Sequence, residues 1–238
     1  MKYMGSKARI AKYIAPFILD HLTTETVYVE PFAGGMNMVS HINTKHAGPV
    51  IAADSHEYLI QMWDALLSGW QPPGQISREQ YYAIKNNQNE IPHLTGWVGF
   101  VCSYAGKWFN SYVGTGQVKS GRVRDYQSEA INNIQRQLSE LDGVILQCCD
   151  YRVLDIPDGA VVYCDPPYVN TRQYRDAFNT AEFWNWVREL SNRCTVFVSE
   201  YTAPDDFNCI WSREVTSGIS GTKTTSIESL FMLKSSLP

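Results

Sequence analysis

Apolar positions in this chain follow two rhythms. Ile10, Ile14, Phe17 and Ile18 recur at helical spacing within residues 8–19, which predicts an amphipathic helix with residues 3–7 as an ordered lead-in. Val27, Tyr28 and Val29 then form a short strand-like run that ends at Glu30-Pro31-Phe32-Ala33-Gly34-Gly35, a glycine turn, after which Met36, Val39 and Ile42 resume helical spacing. A second strand over residues 49–53 ends at Asp54, and Leu59, Ile60, Trp63, Leu66 and Leu67 give a helical face that stops at Gly69. Between Trp70 and Arg124 this alternation breaks down. A polar, Asn- and Gln-rich segment follows Pro72-Pro73-Gly74. Trp97, Phe100, Tyr104 and Trp108 then repeat at helical spacing, which places most of these rings in the core and not on a stacking surface. Residues 113–122 read as a flexible, basic loop or a hairpin.

Regular alternation resumes near Gln127. Ile131, Ile134, Leu138 and Leu141 line a helix, and a strand over residues 144–148 has Asp150 just beyond it. Another strand runs over residues 161–164. Asn179 with Glu182 caps a helix that turns Phe183, Val187 and Leu190 inward, and strands at 195–199, 207–211 and 227–233 finish the sheet. The Gly/Ser/Thr-rich residues 216–226 read as a mobile loop. The expected organisation is one α/β domain formed by residues 1–69 and 127–238, interrupted by an insertion over 70–126.

Composition narrows the class. A chain of 238 residues with 44% hydrophobic and 18% charged residues suits a soluble globular protein with a sizeable core. There is no apolar run of about 18 residues to cross a membrane, and the start lacks the apolar core of a signal peptide, so the expected location is the cytoplasm. Six cysteines form no CxxC pair and five histidines show no metal spacing, which points to free thiols and no metal. A net charge of −4 argues mildly against a nucleic-acid partner. The distribution argues the other way: Lys2, Lys7, Arg9 and Lys12 crowd residues 1–18, and Lys107, Lys119, Arg122 and Arg124 crowd residues 106–124, with no acid in either stretch. From charge alone, a binding face and two solvated loops are equal readings.

Two acids end strands. Asp54 lies 20 residues past Gly34, an offset that suits a ribose diol. The run Val161-Val162-Tyr163-Cys164 stops at Asp165-Pro166-Pro167-Tyr168, because the prolines cannot donate to a sheet ladder. That puts a carboxylate, a stiff backbone and an aromatic ring at the strand edge where open α/β sheets hold their ligands.

Taken together, Tyr3-Met4-Gly5-Ser6-Lys7, Glu30-Pro31-Phe32-Ala33-Gly34, Lys107-Trp108-Phe109-Asn110 and Asp165-Pro166-Pro167-Tyr168 stand in a familiar order. The chain resembles the Dam-type adenine-specific DNA methyltransferases, most of all their short phage forms, over essentially its whole length. The resemblance implies a Rossmann-like class I methyltransferase sheet, mostly parallel with one antiparallel strand, and a largely helical target-recognition insertion. It implies S-adenosylmethionine as methyl donor, S-adenosylhomocysteine as product, and double-stranded DNA as partner, with no membrane association and a monomer in solution. Tyr3, Lys7, Phe32, Gly34, Asp54, Asp150 and Asp165 would contact the donor, with Asp54 on the ribose and Asp150 near the adenine. Asp165, Pro166, Pro167 and Tyr168 would form the catalytic motif. Lys107, Asn110, Lys119, Arg122 and Arg124 would contact DNA. The family pattern is Phe-x-Gly-x-Gly, whereas here Gly35 and Met36 follow Gly34, so the second glycine is displaced by one place. Two other readings stand beside this one: N-methylation of RNA or a protein amide by the same chemistry, and a catalytically inactive DNA-binding relative.

Overall fold

The computed structural model describes residues 1–117, 120–167, 178–217 and 224–234. Its centre is a seven-stranded sheet. In chain order the first elements are α1 (Ala11–Leu19), β1 (Tyr28–Glu30), α2 (Asn37–Asn43), β2 (Val50–Asp54) and α3 (Glu57–Leu67). After the intervening segment come α6 (Tyr126–Leu138), β5 (Ile145–Cys148), β6 (Val161–Cys164), α7 (Thr180–Leu190), β7 (Thr195–Glu200), β8 (Phe207–Ser217) and β9 (Thr224–Leu233). The strand order is β5-β2-β1-β6-β7-β9-β8. All neighbours are parallel except β9, which runs antiparallel to both β7 and β8. This is the expected Rossmann-like class I methyltransferase sheet with one antiparallel strand.

The order fixes where a ligand can sit. From β1 the chain moves outward to β2 on one side, while β6 lies against β1 on the other, with Tyr28 opposite Val161. Strand order therefore reverses between β1 and β6, and the glycine turn after β1 and Asp165 after β6 emerge side by side at that switch point. Hydrophobic layers hold both faces. Ile14 and Ile18 of α1, Val39 and Ile42 of α2 and Leu59 and Trp63 of α3 pack on one face, and Phe183, Val187 and Leu190 of α7 on the other.

The segment over 70–126 contains α4 (Arg78–Asn86), α5 (Pro92–Gly96), a π-type turn over Trp97–Val101, a 3-10 turn over Tyr104–Gly106 and a hairpin of β3 (Thr115–Gln117) with β4 (Val123–Asp125). It contributes Ile76, Tyr81, Trp97, Val98, Phe100 and Phe109 to the same core that holds α1 to α3. Trp97, Phe100 and Phe109 are thus core and Trp108 and Tyr112 pack partly buried against it, but Tyr104 is exposed, because the chain leaves helical geometry at Ala105. Helix α4 sits in the Asn- and Gln-rich stretch where no element was expected; its signal is the capping box of Ser77 and Gln80, which satisfies orphan N–H groups at the helix start. A second correction concerns residues 216–226. At its two ends, 216–217 and 224–226, the chain is strand and not loop, because the antiparallel ladder of β8 and β9 from Phe207↔Leu233 extends to Ser217↔Thr224; the rest of that expectation, 218–223, lies outside the described residues. Among the described residues, no helix is long and apolar enough to cross a membrane. No three His, Cys, Asp or Glu side chains among them gather as a metal site.

Candidate active site

The glycine turn is held from three sides. Asp54, at the tip of β2, accepts the Gly34 N–H at 3.0 Å through Oδ2 and the His56 N–H at 2.9 Å through Oδ1. The indole Nε1 of Trp63 donates to the Gly34 carbonyl at 3.2 Å. On the open side lies the Tyr3 ring: a Cβ on Gly34 would come 2.8 Å from Tyr3 Cε1, and one on Gly35 2.7 Å from Tyr3 Cβ. Gly34 also has φ of +48°, so it is required for both space and conformation. The displaced glycine finds its explanation one residue on. Met36 takes the left-handed conformation itself, at φ 57°, as the residue before α2. That conformation costs about 1–2 kcal/mol in an L-residue. It is offset by complete burial of the Met36 side chain and by the bond from its N–H to the Ala33 carbonyl at 2.8 Å, so the turn closes without the second glycine.

Across the cleft, β6 is buried throughout and releases the chain at Asp165-Pro166-Pro167. Lys7 Nζ stands 2.7 Å from Asp165 Oδ1 and 3.7 Å from Glu228 Oε2. Burial works against the Lys7 charge, and the facing carboxylates of Asp165 and Glu228 overcome it, holding its pKa above the ordinary lysine value. Beneath them Glu30 accepts the Tyr28 hydroxyl at 3.0 Å. Burial pushes its carboxyl well above the usual range despite that bond, and the nearby Asp165 and Asp54 add to the effect. Asp54 is raised by burial too, with its two backbone N–H partners pulling the other way.

These groups share one cleft of about 1530 Å³. Tyr3, Lys7, Phe32, Gly34, Asp54, Asp150, Asp165, Pro166 and Pro167 all line it. Ordinary ligand pockets span about 300–1,000 Å³, so this cleft has room for a nucleoside-sized donor and an acceptor group together. The residues fit such a donor. A turn whose Gly34 and Gly35 lack Cβ atoms borders the half-buried Asp54 carboxylate, and Phe32 packs 5.2 Å from Tyr151 and 5.8 Å from Phe183 to give an apolar wall. Asp150 lies on the rim with both oxygens already taken by Arg152, at 2.8 and 2.9 Å. Tyr168 lies outside the described residues, as does Lys119.

Of the expected DNA contacts that are described, Lys107, Asn110, Arg122 and Arg124 do not line the cleft, although Gly106 and Tyr126 close to them do. Lys107 is half-buried, Asn110 and Arg122 are exposed, and Arg124 is clamped to Glu129 by two hydrogen bonds while lying 4.9 Å over the Tyr126 ring. Arg124 is thus part of the local structure at the start of α6. Residues that sequence reasoning passed over include Glu228 on β9, and His56, whose Nδ1 is buried without a partner between Phe100 and Trp108. Only long-range pairing brings Glu228 to Lys7. His56 could have been suspected from its place two residues beyond Asp54.

The chain is 24% identical over 221 residues to the type II methyltransferase M.FokI of Planomicrobium okeanokoites, a match that covers 80% of this chain and 32% of that protein. The chain thus spans about a third of the length of that curated relative. Among solved structures, the rRNA methyltransferase aviRa of Streptomyces viridochromogenes superposes with a TM-score of 0.43 at 13% identity, covering 97% of this chain and 86% of that one. An rRNA methylase of Streptococcus thermophilus gives 0.43 at 10% identity, covering 93% and 96%. Residues 3–186, well over half of the sequence and spanning the Tyr3 element, the glycine turn and the Asp-Pro-Pro stretch, match the model of one family. The chain belongs to the D12 class of N6 adenine-specific DNA methyltransferases.

Proposed function

We propose that the protein transfers a methyl group from S-adenosylmethionine to the exocyclic N6 amine of adenine in duplex DNA. The observation that carries this reading is the shared cleft at the switch point: Asp165 and the Gly34–Asp54 turn open into one space from adjacent strand ends.

The adenine amine is a poor nucleophile because its lone pair is delocalised into the ring. Asp165 would accept one amino hydrogen and a main-chain carbonyl near Pro166 the other, which draws the nitrogen toward tetrahedral geometry and frees its lone pair. The prolines fix the direction of that carbonyl. Placement and charge, more than base strength, would supply the rate, since the amino proton turns acidic only as the new bond forms. S-adenosylmethionine supplies an electrophilic methyl on a sulfonium. Asp54 would hold its ribose hydroxyls, the Gly34 turn would let the backbone approach, and Tyr3 and Phe32 would flank it. The target base must leave the duplex first, at a cost of about a few kcal/mol, and Tyr168 would stack on it.

Residues 70–126 would serve as the target-recognition insertion of the catalytic domain formed by 1–69 and 127–238. Lys107, Asn110, Lys119 and Arg122 are its candidates for DNA contact, with Arg124 supporting the hairpin. The same reading has the enzyme act as a monomer in the cytoplasm.

The test is transfer of labelled methyl from S-adenosylmethionine to duplex DNA, RNA and protein extract side by side. Duplex DNA should be labelled at adenine, and Asp165→Ala should lose at least about 10²-fold in rate. Robust transfer by Asp165→Ala would refute its role, and labelling of RNA or protein alone would overturn the substrate.

A further inference from the structure

The basic stretch near the amino terminus gains a cation from the far end of the chain. A short 3-10 turn over Lys7–Arg9 runs into α1, so exposed Arg9 lies about one turn before exposed Lys12 and half-buried Tyr13. On β8, Trp211 and Val215 pack against the core that holds α1. Side chains alternate along a strand, so Arg213 between them faces the same side. There its guanidinium lies 3.8 Å over the Tyr13 ring, and Lys12 Nζ lies 4.8 Å from that ring. Each cation gains from the ring face, but the two repel one another. Among the described residues, neither Arg9, Lys12 nor Arg213 forms an ion pair. Glu228, opposite Arg213 in the ladder, turns its carboxylate to within 3.7 Å of Lys7, and Glu214 alternates to the other face. Strand β8 is an edge of the sheet, where an inward-facing charge deters the addition of another strand. That role accounts for Arg213 alone; it does not explain a second cation on the same ring with no acid paired to either.

We propose that Lys12 and Arg213, with Arg9 at the cleft margin, form a second surface for duplex DNA, on the catalytic domain and outside the 70–126 insertion. The inference rests on duplex DNA being the substrate. Arg9, Val215 and Ser226 line the same cleft as Asp165, so the patch is continuous with the cleft margin. A base that leaves the duplex for this cleft brings its flanking phosphates to the rim. Cations placed there hold the register of the duplex without reading its sequence. A phosphate between Lys12 and Arg213 offsets their mutual repulsion, because both are drawn to the same anion.

The experiment is fluorescence anisotropy of a labelled duplex across a salt series, with wild type, Lys12→Ala, Arg213→Ala, the double variant and Arg213→Lys. Calorimetric binding of S-adenosylmethionine, without DNA, reports the integrity of each protein and should be the same for all. Each alanine variant should lower the slope of log affinity against log salt by about 1, and the double variant by about 2. The loss should be equal on duplexes of unrelated sequence, since phosphates carry no sequence. Arg213→Lys keeps the charge and should keep the slope, a result that a packing defect at Tyr13 could not produce. Wild-type slopes in Lys12→Ala and Arg213→Ala would overturn the proposal. Self-association of Arg213→Ala on size exclusion, with its slope unchanged, would also overturn it and leave Arg213 as a guard of the sheet edge. Wild-type protein that binds the donor but no duplex even at low salt would sink the acceptor assignment and this surface with it. Unchanged slopes in a protein that does bind duplex would sink the surface alone.

Discussion

Individual side chains at the strand tips are under strong electrostatic tension. Glu200, the last residue of β7, is 7% exposed, and burial raises its carboxyl to about 7, with Asp165 adding to the shift and the Tyr201 N–H at 3.1 Å opposing it. The folded state then holds this proton more tightly than the unfolded chain, so the contribution is fully present below pH 4.5 and is lost as pH rises through about 7. His56 has the opposite sign. Burial lowers its pKa to about 4, and stability is lost as pH falls from 6.5 toward that value. The two effects offset one another between roughly pH 4.5 and 6.5. Glu200→Gln removes one of them. At pH 8 it should be more stable than wild type by about 1–3 kcal/mol, and the difference should vanish near pH 4.5. Urea unfolding followed by tryptophan fluorescence at several pH values reads this directly, and a pH curve parallel to that of wild type would contradict it.

At the scale of elements, the contact of α5 with α3 ties the 70–126 segment to the sheet. Gly96 makes it possible: a Cβ there would run into the Tyr58 carbonyl and lie 2.9 Å from Met62 Cβ. The adjoining turn drives Trp97 and Phe100 into the core, and Phe100 in turn supports the Tyr3 ring at 5.5 Å. Gly96→Ala should therefore cost about 1–3 kcal/mol through overpacking against backbone. A thermal scan should show a fall of several degrees, and an unchanged midpoint would mean that the helices can separate freely. Buried Gln127 acts similarly at the start of α6, where it accepts the Ile76 N–H at 2.7 Å and donates to the Ile76 and Val113 carbonyls at 2.9 Å each. An amide with both ends satisfied joins three segments that share no local sequence signal.

For the whole molecule, a net charge of −4 means that, under the proposed function, duplex DNA would be met by a local basic surface. Exposed Arg122 and clamped Arg124 should behave differently there. Binding to duplex should weaken steeply with salt, and Arg122→Ala should lower the slope of log affinity against log salt by about 1. Arg124→Ala should leave that slope nearly unchanged, since its guanidinium is already committed to Glu129. Fluorescence anisotropy across a salt series separates the two, and equal slope changes would place both on phosphates.

Much of this protein was legible along the chain. Local rules suffice for the strand that stops at Asp165-Pro166-Pro167, the glycine turn after Glu30, the acid at position 54 and the cap at Asn179, because each depends on residues within one turn or one strand. Helix α4 was equally local, written in Ser77 and Gln80 but masked by a polar composition. Other features had no local trace. Met36 accepts a left-handed backbone because distant helices bury its side chain. Glu228 meets Lys7 because an antiparallel strand is inserted between β7 and β8. Spacing and turn chemistry determine which acids end strands. Which of those acids share a cation in one cleft was decided by strand order, since electrostatic partners are set by distance in space and not along the chain.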